Sequence, residues 1–526
     1  VSGPDSSSGL LRSAAVVSFM TLLSRLSGLA QTFFLSHFLG AGAAADAYAV
    51  AFRLPNLLRR FTAEGTMTAA FLPTLAQAER EEGEAAMRTA AAKFLGTLFT
   101  LLVLLVALGL VFMGPLSALL TLGRPAAQGD LTARLARVMF PYLALVSLTA
   151  GFAGVLNLKG RFALASAVSI FWNLAFIAFG WSALAFGQSR GWSSPDRVAL
   201  TCAAAVLAGG LVQLLVLVPA VRAAGFGLSL GLHFRDPYVR AALRRMGPGL
   251  LAAGIYPINA LISTMLASKL PDGAQIVLYN SGMMGEMVLG LFAASFATAG
   301  LPALARLAEA KDYGGMNANL ARSLGASALL VLPASVGLAT LARPISALLF
   351  RTGAYDAAAS DWTALTLQFQ CVGLIFVAAQ RIGTQGLYAL KDYRGPAAIA
   401  LFTLLLNIGL SLALLKPLGT GGLALANGMS SLAGLLLLVL RLRPRLPGLA
   451  LGPTLLDWLK AGLAAALMGV LAWQGARWLG LDLPMARAAL ALRLLPLIAG
   501  CGLVYGALAW LLGHPEAKAL GARIGL

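Results

Sequence analysis

The sequence predicts an all-α polytopic membrane protein of about fourteen transmembrane helices. It predicts two six-helix pseudo-repeat lobes followed by two C-terminal helices. Three observations lead there. Of 526 residues, 59% are apolar and only 11% are charged, and the mean hydropathy is +0.83. A soluble protein carries roughly 25% charged residues, so this chain could not cover a water-exposed surface of its size. The apolar residues fall into runs of the length that a bilayer crossing requires, about 20 residues. Finally, several segments recur at a nearly constant offset along the chain.

The apolar runs lie near 10–37, 45–77, 94–114, 136–156, 163–187, 199–221, 247–268, 275–302, 322–342, 362–386, 396–415, 422–442, 457–478 and 489–512. The links between them are mostly too short for a soluble catalytic domain. The first run is long and carries Arg25, so a cleaved signal peptide is not expected. PLSALLTLG at 115–123 matches PISALLFRTG at 344–353, and FLPTLAQAE at 71–79 matches GLPALARLAE at 300–309, both at an offset of 229. NLAFIAFG at 173–180 echoes NIGLSLAL at 407–414. Equal offsets over separate segments indicate an internal repeat of about six spans. Parallel repeats of this kind handle substrate between their lobes. The expected division is an N-terminal lobe over 1–222, a linker over 223–246, a C-terminal lobe over 247–445 and two further helices over 446–526. The linker is basic and amphipathic, which predicts a cytoplasmic surface helix touching anionic membrane lipid.

The net charge of +19 first suggests nucleic acid. The basic residues are scattered singly between apolar runs, however, without the dense stripe that nucleic acid needs. Twenty-three of the 39 Lys and Arg residues fall on the N-terminal side of the membrane and twelve on the other. That asymmetry places both termini in the cytoplasm. Cys202, Cys371 and Cys501 each sit in an apolar run, without CxxC spacing, and read as buried thiols. His37, His233 and His514 are far apart and form no metal-ligand pattern. No HExxH or GxSxG motif is present. GFGLSLG at 225–231 lacks the Lys and the strand–helix context of a phosphate loop. The expectation is a transporter, not an enzyme, with no cofactor and no metal.

Charge inside a span is costly, at least ~2.5–3.5 kcal/mol per residue, and marks function by default. Here it concentrates in the first two spans: Arg25 in LSRLSG, then Asp46, Arg53, Arg59, Arg60 and Glu64 in DAYAVAFRLPNLLRRFTAEG. Asp46, Arg53 and Arg60 recur every seven residues, and Asn56 and Glu64 join that helical stripe. Arg59 points about 100° away from Arg60. Two plainer readings stand beside a functional one. Arg59 and Arg60 could snorkel to the membrane surface, and Asp46–Arg53 and Arg60–Glu64 could be structural ion pairs. Four arginines against two carboxylates still leave positive charge over. Arginine offers a bidentate fork suited to phosphate and carboxylate, so such a cavity selects an anionic headgroup. A cation exporter would need carboxylates there instead.

SRLSGLAQ at 24–31, GAGAAADAYAVAFRLPNLLRRFTAEGTMTAAFLP at 40–73 and the Leu-Pro repeat near 301 closely resemble the MurJ (MviN) family. These are lipid II flippases of bacterial peptidoglycan synthesis, in the MOP transporter superfamily. The resemblance implies a V-shaped pair of lobes, a central cationic cavity, alternating access and a groove along the last two spans for a polyprenyl tail. By position, the family's essential basic residues fall on Arg25 and Arg59, and its acidic residue on Asp46. Arg25, Arg53, Arg59 and Arg60 are then the expected headgroup-binding residues, supported by Asp46, Asn56 and Glu64. The implied partner is lipid II, the undecaprenyl-diphosphate-linked muropeptide, in the inner membrane, alongside membrane lipids and cell-wall synthesis proteins. Two departures stand out. Gln31 occupies a position that often holds a second Arg. Tyr279-Asn280-Ser281-Gly282 replaces the Asp-Arg pair that many members carry after a Tyr in the eighth span. These keep two alternatives open: an exporter of another lipid-linked glycan or of drugs, and a non-transporting divergent paralogue or scaffold.

Overall fold

The computed structural model describes residues 5–62, 66–191, 194–253, 255–290, 294–448 and 451–524. Side chains are described over 19–59, 71–191, 194–246, 258–290, 300–448 and 451–522. The described residues are helical almost throughout, with one isolated bridge between Thr352 and Tyr355. They divide into two compact units, 1–273 with 352–355 and 274–351 with 356–526.

The first unit holds α1 (Asp5–Leu39), α2 (Ala43–Thr62), α3 (Thr66–Glu82), α4 (Glu84–Leu120), α5 (Ala126–Met139), α6 (Tyr142–Leu158), α7 (Phe162–Gln188), α8 (Pro195–Ala223), α9 (Pro237–Ala253) and α10 (Ile255–Ala267). α4 shows how the sequence assigns its faces. Phe94, Leu95, Leu98, Leu102 and Val106 are buried, while Val103, Leu104, Leu108, Val111 and Phe112 are exposed. Three- and four-residue spacing gives one face to the protein. The other face is apolar too and can rest only in lipid. The unit is packed around a run of rings. Tyr48, Phe52, Trp172, Phe176 and Phe34 follow one another at centroid separations of 5.8–6.2 Å across α2, α7 and α1. The buried Asn173 of α7 donates to Ser27 Oγ of α1 at 2.9 Å, two residues from Arg25.

The second unit holds α11 (Ala274–Val288), α12 (Ala294–Glu309), α13 (Tyr313–Thr340), α14 (Ala342–Leu349), α15 (Ala357–Cys371), α16 (Leu374–Ala389), α17 (Arg394–Leu442), α18 (Leu451–Trp478), α19 (Arg487–Leu511) and α20 (Pro515–Ile524). α17 turns at Gly419 (φ 56°, ψ −131°), giving two arms. The order of α3 to α8 therefore returns in α12 to α17. α13 and α14 together stand for α4, and the two arms of α17 stand for α7 and α8. Pro73 and Pro302 both lie inside the helices that carry the matching Leu-Pro segments. α18 and α19 follow outside this repeat. Ala464, Ala465 and Met468 of α18 pack with Leu329 of α13 and with Tyr505 and Ala509 of α19.

Among the described residues, eight helical stretches are long and apolar enough to cross a membrane, and α15 with α16, bent by 44°, makes a ninth. The apolar run at 45–77 is shared between α2 and α3. The linker also differs from expectation. Helix begins only at Pro237, and the preceding segment lies extended along α4. Ser229 N donates to Ala92 O at 3.1 Å, Gly231 N to Thr100 Oγ1 at 3.2 Å and His233 N to Thr97 Oγ1 at 3.0 Å. Gly96 makes this approach possible, because a Cβ there would collide with the Ser229 carbonyl. Lys93 and Asp236 close the segment with an ion pair at 2.9 Å. Burial alone would raise the Asp236 carboxyl, but Lys93 and the Val239 and Tyr238 N–H groups outweigh it and hold it below its ordinary value.

Candidate functional site

The predicted residues on α1 and α2 lie in the first unit. Arg25 is exposed and makes no hydrogen bond or ion pair among the described residues. Arg59 is half-buried, and its Nε donates to Asn56 Oδ1 at 3.1 Å, one helical turn back. Asn56 thereby aims the guanidinium. Arg53 is also half-buried and reaches α10, where Nη1 donates to Thr264 Oγ1 and, at 3.3 Å, to Ala260 O. The side chain of Arg60, and Glu64 altogether, lie outside the described residues.

Asp46 is fully buried in the first turn of α2. Its Oδ2 accepts from Arg124 Nη2 at 2.9 Å and from Gly273 N at 2.8 Å. Arg124 lies in the link between α4 and α5, with a side chain only 5% exposed. It also binds Asp272 and donates to Pro271 O at 2.9 Å. Sequence reasoning missed Arg124, since nothing local in TLGRPAAQGD marks it as the partner of a carboxylate 78 residues away. Breaking a buried pair is destabilising, so Asp46 and Arg124 fix the entry to α2, the helix that carries Arg53 and Arg59.

The positions of interest in the second unit lie on α11. Asn280 is 3% and Ser281 0% exposed, whereas a Cβ on Gly282 would meet nothing within 4 Å. Ser281 therefore faces packed protein and Gly282 faces open space. One turn further on, Glu286 receives Arg381 Nη2 of α16 at 3.4 Å, each side chain 33% exposed. The basic-residue count puts Arg381 on the cytoplasmic side. It lies within α16, so the second unit has an arginine in its helical frame.

Partly exposed guanidiniums on apolar helices can hold a multivalent anion through paired N–H donors. A buried carboxylate near the start of α2 fixes the helix that presents them. The family model described as lipid II flippase MurJ matches residues 35–482. The chain belongs to this family. The Burkholderia cenocepacia protein named lipid II flippase MurJ is 30% identical, with 97% of this chain and 98% of that protein covered. A Rhizobium meliloti relative named "Probable lipid II flippase MurJ" is 33% identical, with 95% of this chain and 92% of the relative covered. Among solved structures, a lipid II flippase MurJ in an inward closed conformation matches with a TM-score of 0.73 at 20% identity. It covers 94% of this chain and 98% of its own. An inward-facing MATE family multidrug transporter of the MOP superfamily matches at 0.64 and 14% identity, covering 83% of this chain and 98% of its own. At these identities the structural likeness is one of fold. Family membership and the apolar helices make this a multi-pass protein of the bacterial inner membrane.

Proposed function

We propose that this chain flips lipid II from the inner to the outer leaflet by alternating access. The observation that carries this reading is the set of arginines on α1 and α2 in a chain of the lipid II flippase family. Arg25, Arg53, Arg59 and Arg60 hold the diphosphate and the peptide carboxylates. Asn56 aims Arg59, Asp46 fixes the start of α2, and Glu64 orients the arginines near it. Fourteen spans with both termini in the cytoplasm form lobes over 1–222 and 247–445, joined by 223–246. The helices of 446–526 receive the polyprenyl tail. No bond is made or broken. The substrate shifts a balance between two states of similar energy, and can do so only through contacts that differ between them. Arginine-rich cavities respond to membrane potential, at ~2.3 kcal/mol per charge per 100 mV.

One observation favours a second reading. Asn280-Ser281-Gly282 follows Tyr279 where many family members carry an Asp-Arg pair, as expected of a divergent paralogue that binds lipid-linked precursors without moving them. Expression in a strain depleted of its native flippase separates the two. Restored growth, with lipid II accessible on the outer face, is the expected result. Good membrane insertion with no lipid II outside would overturn the proposed function.

A further inference from the structure

The far end of α17 carries a feature unrelated to the arginines of α1 and α2. The arms over 394–418 and 420–442 run back along each other, and near residues 395 and 441 they part to leave a groove of about 570 Å³. Ala398, Ile399 and Phe402 line one wall, and Leu437 and Leu440 the other, with Arg441 and Arg445 at the mouth. Each wall is a stripe at three- and four-residue spacing, so the groove follows the helix axes and does not cross them. Phe402 is 46% and Leu440 63% exposed, continuous with the exposed Leu401, Leu405 and Leu436. The groove thus opens onto the apolar, lipid-facing surface.

Its mouth is built for negative charge. Asp392 accepts from Gly395 N at 2.9 Å, from Arg441 Nε at 2.8 Å and from Arg445 Nη1. The carboxylate fixes both guanidiniums but takes only one N–H from each, and Arg441 and Arg445 remain 42% and 38% exposed. Lys391, Arg394 and Arg443 are exposed beside them, so five basic side chains face a single carboxylate within 391–395 and 441–445. Tyr388 and Tyr393 stack 5.8 Å apart at the same end, with Tyr393 66% exposed. Tyrosines of this kind mark the headgroup level of a bilayer.

We propose that this groove binds one anionic phospholipid, its phosphate on Arg441 and Arg445 and an acyl chain against Phe402, Leu437 and Leu440. A phosphate fits the paired guanidinium edges, and an apolar trough leading from them fits the chain esterified below it. A free phosphate would use the mouth and leave the trough empty.

The test uses the full-length chain in detergent, with retained lipid counted by native mass spectrometry. Phosphatidylglycerol is expected to be retained over phosphatidylcholine. Arg441→Gln with Arg445→Gln should weaken retention on the order of thirtyfold, from two basic contacts near a membrane surface. Ala398→Trp keeps every charge and fills the trough, and it should also reduce retention. Wild-type retention in both variants would overturn the proposal. So would loss in the arginine variant with full retention in Ala398→Trp, which would leave only a charged surface. Complete displacement of phosphatidylglycerol by millimolar inorganic phosphate would make this an anion site, not a lipid site. Far-ultraviolet circular dichroism on each variant distinguishes lost binding from lost fold.

Discussion

α2 and α11 each follow a short link and carry the polar residues that sequence reasoning singles out, yet they use them differently. On α2, Arg53 and Arg59 are half-buried and steadied by Thr264 and Asn56. Each of these contacts orients its guanidinium. On α11, Asn280 and Ser281 are buried in packing, and Glu286 meets Arg381, a carboxylate that offsets the cation. Two similar helical frames therefore hold their polar residues differently, and the open position at Gly282 is where a cation could be added to the second.

The largest expected effect comes from emptying the first arrangement. Arg25→Ala and Arg59→Ala should each abolish rescue of a flippase-depleted strain while protein stays in the membrane. Losing a desolvated charged contact costs about 2–5 kcal/mol, roughly thirtyfold or more in affinity. Lysine at either position should rescue partly, because a point charge cannot reproduce the bidentate fork. Full growth with either alanine variant would count against a headgroup role.

Next comes the support beneath α2. Asp46→Ala should lower stability by about 1–3 kcal/mol, since Arg124 keeps Asp272 but the buried Gly273 N–H loses its acceptor. Thermal unfolding in detergent reads this directly. Asp46→Ala combined with Arg124→Ala should cost less than the two single losses added together. Strict additivity would mean that the pair is not coupled.

The comparison sharpens at α11. Gly282→Arg places a cation in open space and should partly rescue an Arg53→Ala variant. Ser281→Arg drives an unpaired charge into packing and should destabilise by several kcal/mol. Growth assays beside membrane yields separate these outcomes. Rescue from Ser281→Arg, or none from a well-folded Gly282→Arg, would refute this assignment of the two faces.

The smallest effect is a pH dependence at the end of α17. Arg441 beside Asp392 holds its carboxyl well below the usual carboxylate range, against the opposing effect of burial. A depressed folded pKa adds stability that is complete above the unfolded value near about 3.9. It is lost only as pH falls through the lower folded value. The melting difference between wild type and Asp392→Asn should therefore stay constant from about pH 6 to 8 and close only in strong acid. Closure near neutrality would contradict the assignment.

The fold class was legible because composition and apolar run length are local properties, and Arg25, Asp46, Arg53, Asn56 and Arg59 could be singled out because they share two adjacent spans. What escaped was pairing at long range. Arg124 lies in a short link and Arg381 at the end of an apolar run, and their carboxylates lie 78 and 95 residues away. The linker misled for a different reason. Its basic residues suggest an amphipathic helix, but Gly225, Gly227 and Gly231 disfavour helix, and the deciding partner, Gly96, sits on another helix. Ser281 and Gly282 are adjacent in sequence, and only packing shows which of them faces open space.

The central claim is that the arginines of α1 and α2 hold the anionic headgroup, and lipid II binding to the purified chain in nanodiscs tests it most directly. Wild type should bind lipid II, and Arg25→Ala with Arg59→Ala should lose that binding by at least a hundredfold, from two charged contacts. Undiminished binding by a well-folded double variant would contradict the account.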